Sequence, residues 1–116
     1  MDAIDMPEDL TVDQLDASNP VPAGAVVLDV REQDEWDAGH VPGATHIPLG
    51  ELPARTADVP EADLVVVCRS GGRSARATAW LTQAGFDARN LDGGMKAWER
   101  AGLPITRDDG GEPTVV

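Results

Sequence analysis

The sequence has 116 residues, a length that allows one domain with one modest hydrophobic core. Its 21 acidic and 9 basic residues give a formal net charge of −12, which argues against nucleic acid or an anionic membrane as partner, because both would repel this surface. We expect a cytoplasmic protein without an internal disulfide, since no apolar run could span a bilayer, the first ten residues do not resemble a signal peptide, and there is one cysteine.

The first half of the chain predicts short helices around a buried strand. Thr11 and Gln14 fit a capping box, so a short helix is expected there. Residues 25–30 are nearly all apolar and predict a buried strand. A helix over 32–38 is expected to end at Gly39 in the C′ position. The weaker patterns that follow predict a strand and then a helix: 44–47 and 48–55.

The second half predicts two further strand–helix pairs. The strongest strand, 64–67, delivers Cys68 at its carboxyl end, and an alanine-rich helix over 74–84 follows. A last strand and a last helix are predicted over 88–91 and 93–100. This alternation implies a parallel sheet covered by helices on both faces, with ligands bound beyond the carboxyl ends of the strands. We place the domain at 9–105 and expect flexible termini at 1–8 and 106–116.

The segment Cys68 to Ser74, CRSGGRS, brings the only cysteine together with arginine and glycine. Within 68–76 there are three arginines and no acidic residue, although the chain as a whole is acidic. Gly71 and Gly72 allow backbone angles that let N–H groups point inward, and a helix beginning near Ser74 adds unpaired N–H groups. Arg69 and Arg73 add positive charge. The loop is therefore predicted to bind an anion beside a thiol.

Such surroundings would change the chemistry of Cys68. A free thiol with a pKa near 8.5 is only about 3% thiolate at pH 7, and the thiolate is the nucleophile. Inward N–H donors, a helix end and arginine side chains all favour the anion. We therefore interpret Cys68 as a reactive sulfur rather than as a small buried hydrophobic residue.

Other polar and aromatic residues are given structural interpretations. His40 is expected to be a hydrogen-bonded structural histidine and His46 to occupy a surface or strand position. Ser74 is expected to be the helix N-cap. Trp36, Trp80 and Trp98 are expected to belong to the core or to cover the sheet. Two histidines and one cysteine without ligand spacing predict no metal site.

Three motifs in order and spacing resemble the rhodanese, or sulfurtransferase, family: LDVREQDEWDAGHVPGATHIPL at 28–49, VVVCRSGGRSARA at 65–77 and NLDGGMKAWERAGLP at 90–104. The resemblance implies an α/β fold with a five-stranded parallel sheet flanked by helices on both faces. It implies a cysteine that takes a sulfane sulfur from a small anionic donor such as thiosulfate. The resulting persulfide passes the sulfur to cyanide or to a thiol acceptor, which includes acceptor proteins.

The resemblance also assigns roles to individual residues. Cys68 matches the persulfide-forming nucleophile, so the only group beyond the twenty amino acids would be a covalent persulfide and no cofactor is expected. The substrate-binding loop would consist of Arg69, Ser70, Gly71, Gly72, Arg73 and Ser74, with the arginines clamping the donor dianion. Asp29 and Arg31 match a strand-end motif that supports this loop from the neighbouring strand.

Two alternatives remain open at the level of sequence. The first is a phosphatase or arsenate reductase of the same fold, whose Cys-x5-Arg loop needs arginine six positions after the cysteine. Here Arg73 comes five positions after Cys68 and Ser74 occupies the sixth. The second is a rhodanese-fold module that binds or regulates without turnover.

Overall fold

A parallel sheet of four strands forms the centre of the computed structural model, which describes residues 8–116. Its spatial order is β2–β1–β3–β4. The strands are β1 (Ala25–Asp29), β2 (Thr45–His46), β3 (Asp63–Val67) and β4 (Ala88–Asn90). Every recorded strand pair is parallel, as the alternation of strands and helices predicted. Most of the predicted N-terminal flexible segment, 1–8, lies outside the described residues.

The expected fifth strand is reduced to one residue in the described part of the chain. Leu10 forms an isolated parallel bridge with Leu91, and its N–H donates to the Asn90 carbonyl at 2.8 Å. Directly afterwards, Thr11 caps a 3₁₀ helix at Val12–Gln14, which confirms the predicted helix start. Since the chain enters this helix at Val12, pairing with β4 does not continue past Leu10, and the sheet of the described residues has four strands where five were expected.

Three α-helices and a longer 3₁₀ segment surround the sheet within residues 8–116. They are α1 (Gln33–Ala38), the 3₁₀ segment (Leu49–Asp58), α2 (Gly72–Gln83) and α3 (Gly94–Arg100). None of these described helices is long and apolar enough to cross a membrane. Helix α2 begins earlier than predicted because Gly71, with a φ of 113°, turns the chain directly into the helix. Gly39 has a φ of 165°, which is extended backbone and not the left-handed C′ geometry expected for it.

Both faces of the sheet are covered, which explains why the sequences of the strands are nearly all apolar. Alternate side chains point to opposite sides of a strand, so Val66 packs with α2 residues while Val65 and Val67 pack against α3. Trp98 is fully buried on the α3 side, as predicted for a core residue. Trp80 is 37% exposed, so the same prediction is wrong for it.

The C-terminal segment 106–116 packs against the domain, which corrects the expectation of a flexible tail. Thr106 exchanges backbone hydrogen bonds of 2.9 and 2.8 Å with His40, and the Thr114 N–H donates to the Ala38 carbonyl at 2.9 Å. Val115 is only 5% exposed and belongs to the core on the α3 side. A polar composition suggested disorder, but one apolar side chain and main-chain pairing fix the segment.

The start of α3 lies directly against the residues that follow β3. The Met95 N–H donates to the Cys68 carbonyl at 2.8 Å, and the Lys96 N–H donates to the Arg69 carbonyl at 3.0 Å. Gly94 has a φ of 57°, and a Cβ built there would lie 2.8 Å from the Arg69 carbonyl carbon and closer still to the Cys68 carbonyl oxygen. Only glycine allows this approach.

We therefore expect Gly94→Ala to destabilise the protein by at least about 2 kcal/mol. The alanine Cβ would collide with the backbone of Cys68 and Arg69, and alanine would also have to adopt a left-handed backbone conformation. Gly50→Ala is the matched control, since a Cβ there meets nothing within 4 Å and its backbone is not left-handed. Denaturant unfolding of both variants measures the difference. Equal stabilities would contradict the close packing of α3 on the loop.

Candidate active site

Cys68 follows β3 at the carboxyl edge of the sheet, where its sulfur faces donors from the next turn of chain. The residue is 2% exposed. The Gly71 N–H lies 3.1 Å from Sγ, and the Ser74 hydroxyl lies 3.3 Å from it. The loop curls back on the sulfur because Gly71 adopts a φ of 113°. Gly72 needs no such freedom, since its φ is not left-handed and a Cβ would meet nothing within 4 Å.

The balance of burial and hydrogen bonding lowers the pKa of the Cys68 thiol. Burial raises this pKa because it disfavours the thiolate. Hydrogen bonds from the Ser74 hydroxyl and from the amides of Ser74, Gly71 and Ser70 act in the opposite direction and outweigh burial. The structure therefore favours the thiolate through neutral donors close to the sulfur.

Ser74 lies in the third position of α2, so it is not the helix N-cap that the sequence predicted. Its fully buried hydroxyl also lies 2.5 Å from Oδ1 of Asn90, at the end of β4. The Asn90 amide group donates to Asp9 at 3.0 Å, which leaves Oδ1 facing the serine. A serine hydroxyl carries one proton, so Asn90 and the sulfur compete for it. Sequence reasoning missed Asn90, since no local pattern marks it.

Arg73 is held by a carboxylate from α1. Its Nη1 and Nη2 donate to the two carboxylate oxygens of Glu35 at 2.6 and 2.8 Å. The Arg73 guanidinium lowers the pKa of the Glu35 carboxyl to about 2, against a smaller opposing effect of burial. Glu35 in turn raises the pKa of Arg73. Glu35 is a second residue that sequence reasoning missed, because it lay among other acidic residues with nothing to distinguish it.

Arg69 is exposed, and its Nε donates to the main-chain oxygen of Val116 at 3.0 Å. The side chain of Ser70 is also exposed. The two arginines of the loop therefore differ in their surroundings, since Arg73 is paired with Glu35 of α1 and Arg69 lies at the surface.

Asp29 and Arg31 form a fully buried ion pair below the loop. Arg31 Nη2 lies 2.7 Å from Asp29 Oδ2, and the same nitrogen donates to the Gly39 carbonyl at 2.8 Å. Among the described residues, the hydrogen bonds of these two side chains go to each other and to main-chain groups of Arg31 and Gly39. Arg31 thus forms an ion pair with a local carboxylate, and the supporting role that the resemblance implies for these two residues stays a prediction.

The two histidines stack on Trp36. The ring centroids of His40 and Trp36 are 3.6 Å apart, and those of His46 and Trp36 are 4.7 Å apart. His40 is 4% exposed and its Nδ1 lies 2.9 Å from the Trp36 carbonyl, as expected for a structural histidine. His46 lies in β2, as predicted. Within residues 8–116, no group of three or more histidine, cysteine, aspartate or glutamate side chains is arranged to hold a metal ion.

Comparisons with a protein-family model, with related sequences and with solved structures show which proteins this chain is similar to. The sequence model described as "Rhodanese-like domain" matches residues 11–101. A sulfurtransferase of Allochromatium vinosum is 40% identical over 73% of this chain and 81% of its own length. The thiosulfate sulfurtransferase GlpE of Pseudomonas fluorescens is 41% identical over 65% of this chain and 71% of its own. The crystal structure of a rhodanese-related protein from Thermoplasma volcanium superposes with a TM-score of 0.77 at 29% identity, covering 86% of this chain and 98% of that one.

Replacing Ser74 by alanine should raise the pKa of the Cys68 thiol, because the sulfur loses a hydroxyl donor that favours the thiolate. The rate of alkylation by iodoacetamide as a function of pH measures this pKa. Thr78→Val is the matched control, since it removes a buried hydroxyl of the same helix that bonds only the Ser74 carbonyl. A Ser74→Ala profile identical to the native one would show that the hydroxyl serves Asn90 alone.

Glu35→Gln should destabilise the protein at pH 7 by about 1–2 kcal/mol, because Arg73 loses a charged acceptor. The pKa of Glu35 is lower in the folded protein, so its contribution is complete above the ordinary value of 4.5 and is lost as the pH falls towards about 2. Native and variant stabilities should therefore converge over that interval. Urea unfolding across this pH range is the measurement, and Glu51→Gln, from an exposed pair with Arg55, is the control expected to change little.

Proposed function

The chain belongs to the rhodanese-like domain family, and on that premise we propose that it is a sulfurtransferase that moves a sulfane sulfur from thiosulfate, or a similar small anionic donor, to cyanide or a thiol acceptor. The observation that carries this proposal is the set of donors facing the Cys68 sulfur, namely the Gly71 amide and the Ser74 hydroxyl with the neighbouring amides. These donors suit a site that holds a negative charge in both states, on the Cys68 sulfur before transfer and on the outer sulfur of the persulfide after it.

In the first half-reaction, the Cys68 thiolate attacks the outer sulfur of thiosulfate. A new S–S bond forms, the S–S bond of the donor breaks, and sulfite leaves with the bonding electron pair. Cys68 then carries a persulfide whose outer sulfur is anionic. The lowered pKa of the thiol supports this step, since more of the protein holds the nucleophilic form at neutral pH.

In the second half-reaction, cyanide or an acceptor thiolate attacks the outer sulfur. The bond between the two sulfurs of the persulfide breaks, and the Cys68 thiolate is regenerated. With cyanide the product is thiocyanate, and with a thiol it is a new persulfide, which makes a protein thiol a suitable partner. Both steps balance without an external oxidant or reductant, so the cycle needs no cofactor beyond the covalent persulfide.

The residues of the loop have different roles in this proposed reaction. We assign the amides of Ser70, Gly71 and Ser74 to holding the anionic sulfur, because they already stabilise the thiolate. Arg69 is assigned to the sulfonate oxygens of the donor. Arg73 is assigned to holding the loop against α1 through Glu35 rather than to clamping the donor.

The arrangement favours this reaction over phosphoryl or arsenate chemistry. A phosphoryl group offers three oxygens and needs an arginine fork aimed at it. Arg73 comes five residues after Cys68, and its two terminal nitrogens both donate to the Glu35 carboxylate, so the planar fork of the guanidinium faces that carboxylate. The sixth position holds the Ser74 hydroxyl, 3.3 Å from the sulfur, so the loop closes around one atom.

Intact mass spectrometry tests the proposal directly. The reduced protein and the Cys68→Ala variant are incubated with thiosulfate and measured before and after addition of cyanide. We expect the native protein alone to gain the mass of one sulfur atom, and cyanide to remove it with release of thiocyanate.

The alternatives give different results. A protein that gains no sulfur from thiosulfate, from an organic persulfide or from polysulfide would overturn the proposal. Turnover of an aryl phosphate or of arsenate would then identify the phosphatase or arsenate reductase alternative, and its absence would leave the binding module.

A further inference from the structure

A chain of hydrogen bonds leads from the Cys68 sulfur to the edge of the sheet. The Ser74 hydroxyl lies 3.3 Å from Sγ and 2.5 Å from Oδ1 of Asn90, and Asn90 Nδ2 donates to the Asp9 carboxylate at 3.0 Å. The Gly71 carbonyl is a further acceptor, 3.3 Å from the same hydroxyl. The serine is 0% and the asparagine 4% exposed, so water does not readily replace a lost bond. We call the three polar side chains beyond the sulfur the hydrogen-bond chain.

Asp9 fixes which end of the Asn90 amide faces the serine. A carboxylate only accepts hydrogen bonds, so it must face Nδ2, and Oδ1 then points to the serine hydroxyl. The main chain on both sides of Asp9 is held along β4. The Leu10 N–H donates to the Asn90 carbonyl at 2.8 Å, and Arg89 Nε donates to the Glu8 carbonyl at 3.0 Å. Asn90 therefore offers the serine an acceptor and not a donor.

The charge on the Cys68 sulfur decides which acceptor attracts the single hydroxyl proton of Ser74 more strongly. A thiolate is a charged acceptor and forms the stronger bond, but the buried Oδ1 of Asn90 then loses its donor. A neutral thiol is a weak acceptor. The inner sulfur of a persulfide is also weak, because the negative charge lies on the outer sulfur. In both neutral states the proton bonds Asn90, and that buried acceptor keeps its partner.

We propose that Asn90, held by Asp9, is a positioning residue that takes the Ser74 proton whenever the Cys68 sulfur is neutral. It thereby stabilises the thiol and the persulfide relative to the free thiolate, and so favours the sulfur-loaded protein over the empty nucleophile. The part that concerns the persulfide rests on the proposed function. The placement of the proton in the thiol and the thiolate does not.

Alkylation of Cys68 by iodoacetamide as a function of pH tests the placement of the proton. Asn90→Leu removes the acceptor and keeps a side chain of similar size, so the thiol pKa should fall. Below the native pKa the rate should rise by about twofold to fourfold. At a pH where the thiol is fully ionised the rate should fall, because a less basic thiolate is a weaker nucleophile. Asp9→Ala should act in the same direction, since the amide can then turn and donate to Ser74.

The controls separate the hydrogen-bond chain from a simple effect of charge. In the Ser74→Ala background, neither Asn90→Leu nor Asp9→Ala should move the profile, because the hydroxyl through which both act is gone. Glu8→Ala is the matched control for the charge of Asp9, since it removes a carboxylate one residue away and keeps the main chain along β4. The charge of Arg73 interacts with the thiolate, and that arginine and its carboxylate partner stay unaltered in every variant.

An equilibrium with thiosulfate and sulfite tests the effect on sulfur loading. The native and Asn90→Leu proteins are measured by intact mass spectrometry at a pH where the thiol is ionised in both. The loading constant should be about threefold to tenfold lower in the variant, because its persulfide lacks the bond between Ser74 and Asn90. The same substitution in the Ser74→Ala background should leave the loading constant unchanged.

Three results would each overturn the inference: an unchanged or higher thiol pKa in Asn90→Leu, an Asp9→Ala shift that persists without the Ser74 hydroxyl, or an unchanged loading constant. If Asn90→Leu does not fold, Asp9→Ala carries the test, since Asp9 is exposed. A protein that shows the expected alkylation profiles and takes no sulfur from any donor would refute the proposed function and leave the placement of the proton intact.

Discussion

The burial of the Cys68 sulfur among hydrogen-bond donors that favour its thiolate is the constraint on which the rest of this structure depends. Cys68 follows the central strand β3 and is almost inaccessible, so the surrounding protein has to replace the water that would stabilise a thiolate. The loop does so with amides and one hydroxyl at 3.1–3.3 Å. Those donors face inward only because Gly71 turns with a φ of 113° and Gly94 lets α3 approach the Cys68 carbonyl.

The sequence was sufficient for the features that depend on local pattern. Apolar runs between helical segments predicted parallel strands, and the glycine-rich turn after 64–67 predicted donors around Cys68. Features that depend on distant partners could not be predicted. The fifth strand stops at Leu10 because a helix cap follows at once, and Ser74 moves from the cap into α2 because Gly71 starts the helix three residues earlier.

Long-range partners explain the other differences as well. Glu35 is 38 residues from Arg73, and Val116 is 47 residues from Arg69, so neither pairing leaves a signal in the spacing of residues. The C-terminal segment looked disordered because glycine and charged residues dominate it. Its order depends on Val115 entering the core and on a glycine at position 39 that leaves room for Thr114. Composition could not reveal that three-dimensional fit.

The two loop arginines differ in their partners and in their exposure. Arg73 faces a carboxylate whose pKa is about 2, so over the neutral pH range the pair carries no net charge, and each terminal nitrogen of Arg73 donates one hydrogen bond to that carboxylate. A ligand that recruited Arg73 would have to leave the Glu35 carboxylate, which is 14% exposed, without its partner. Arg69 is exposed, and its Nε donates to the main-chain oxygen of Val116. The Arg73–Glu35 pair therefore joins α1 to the start of α2, while Arg69 is the loop arginine that lies at the surface.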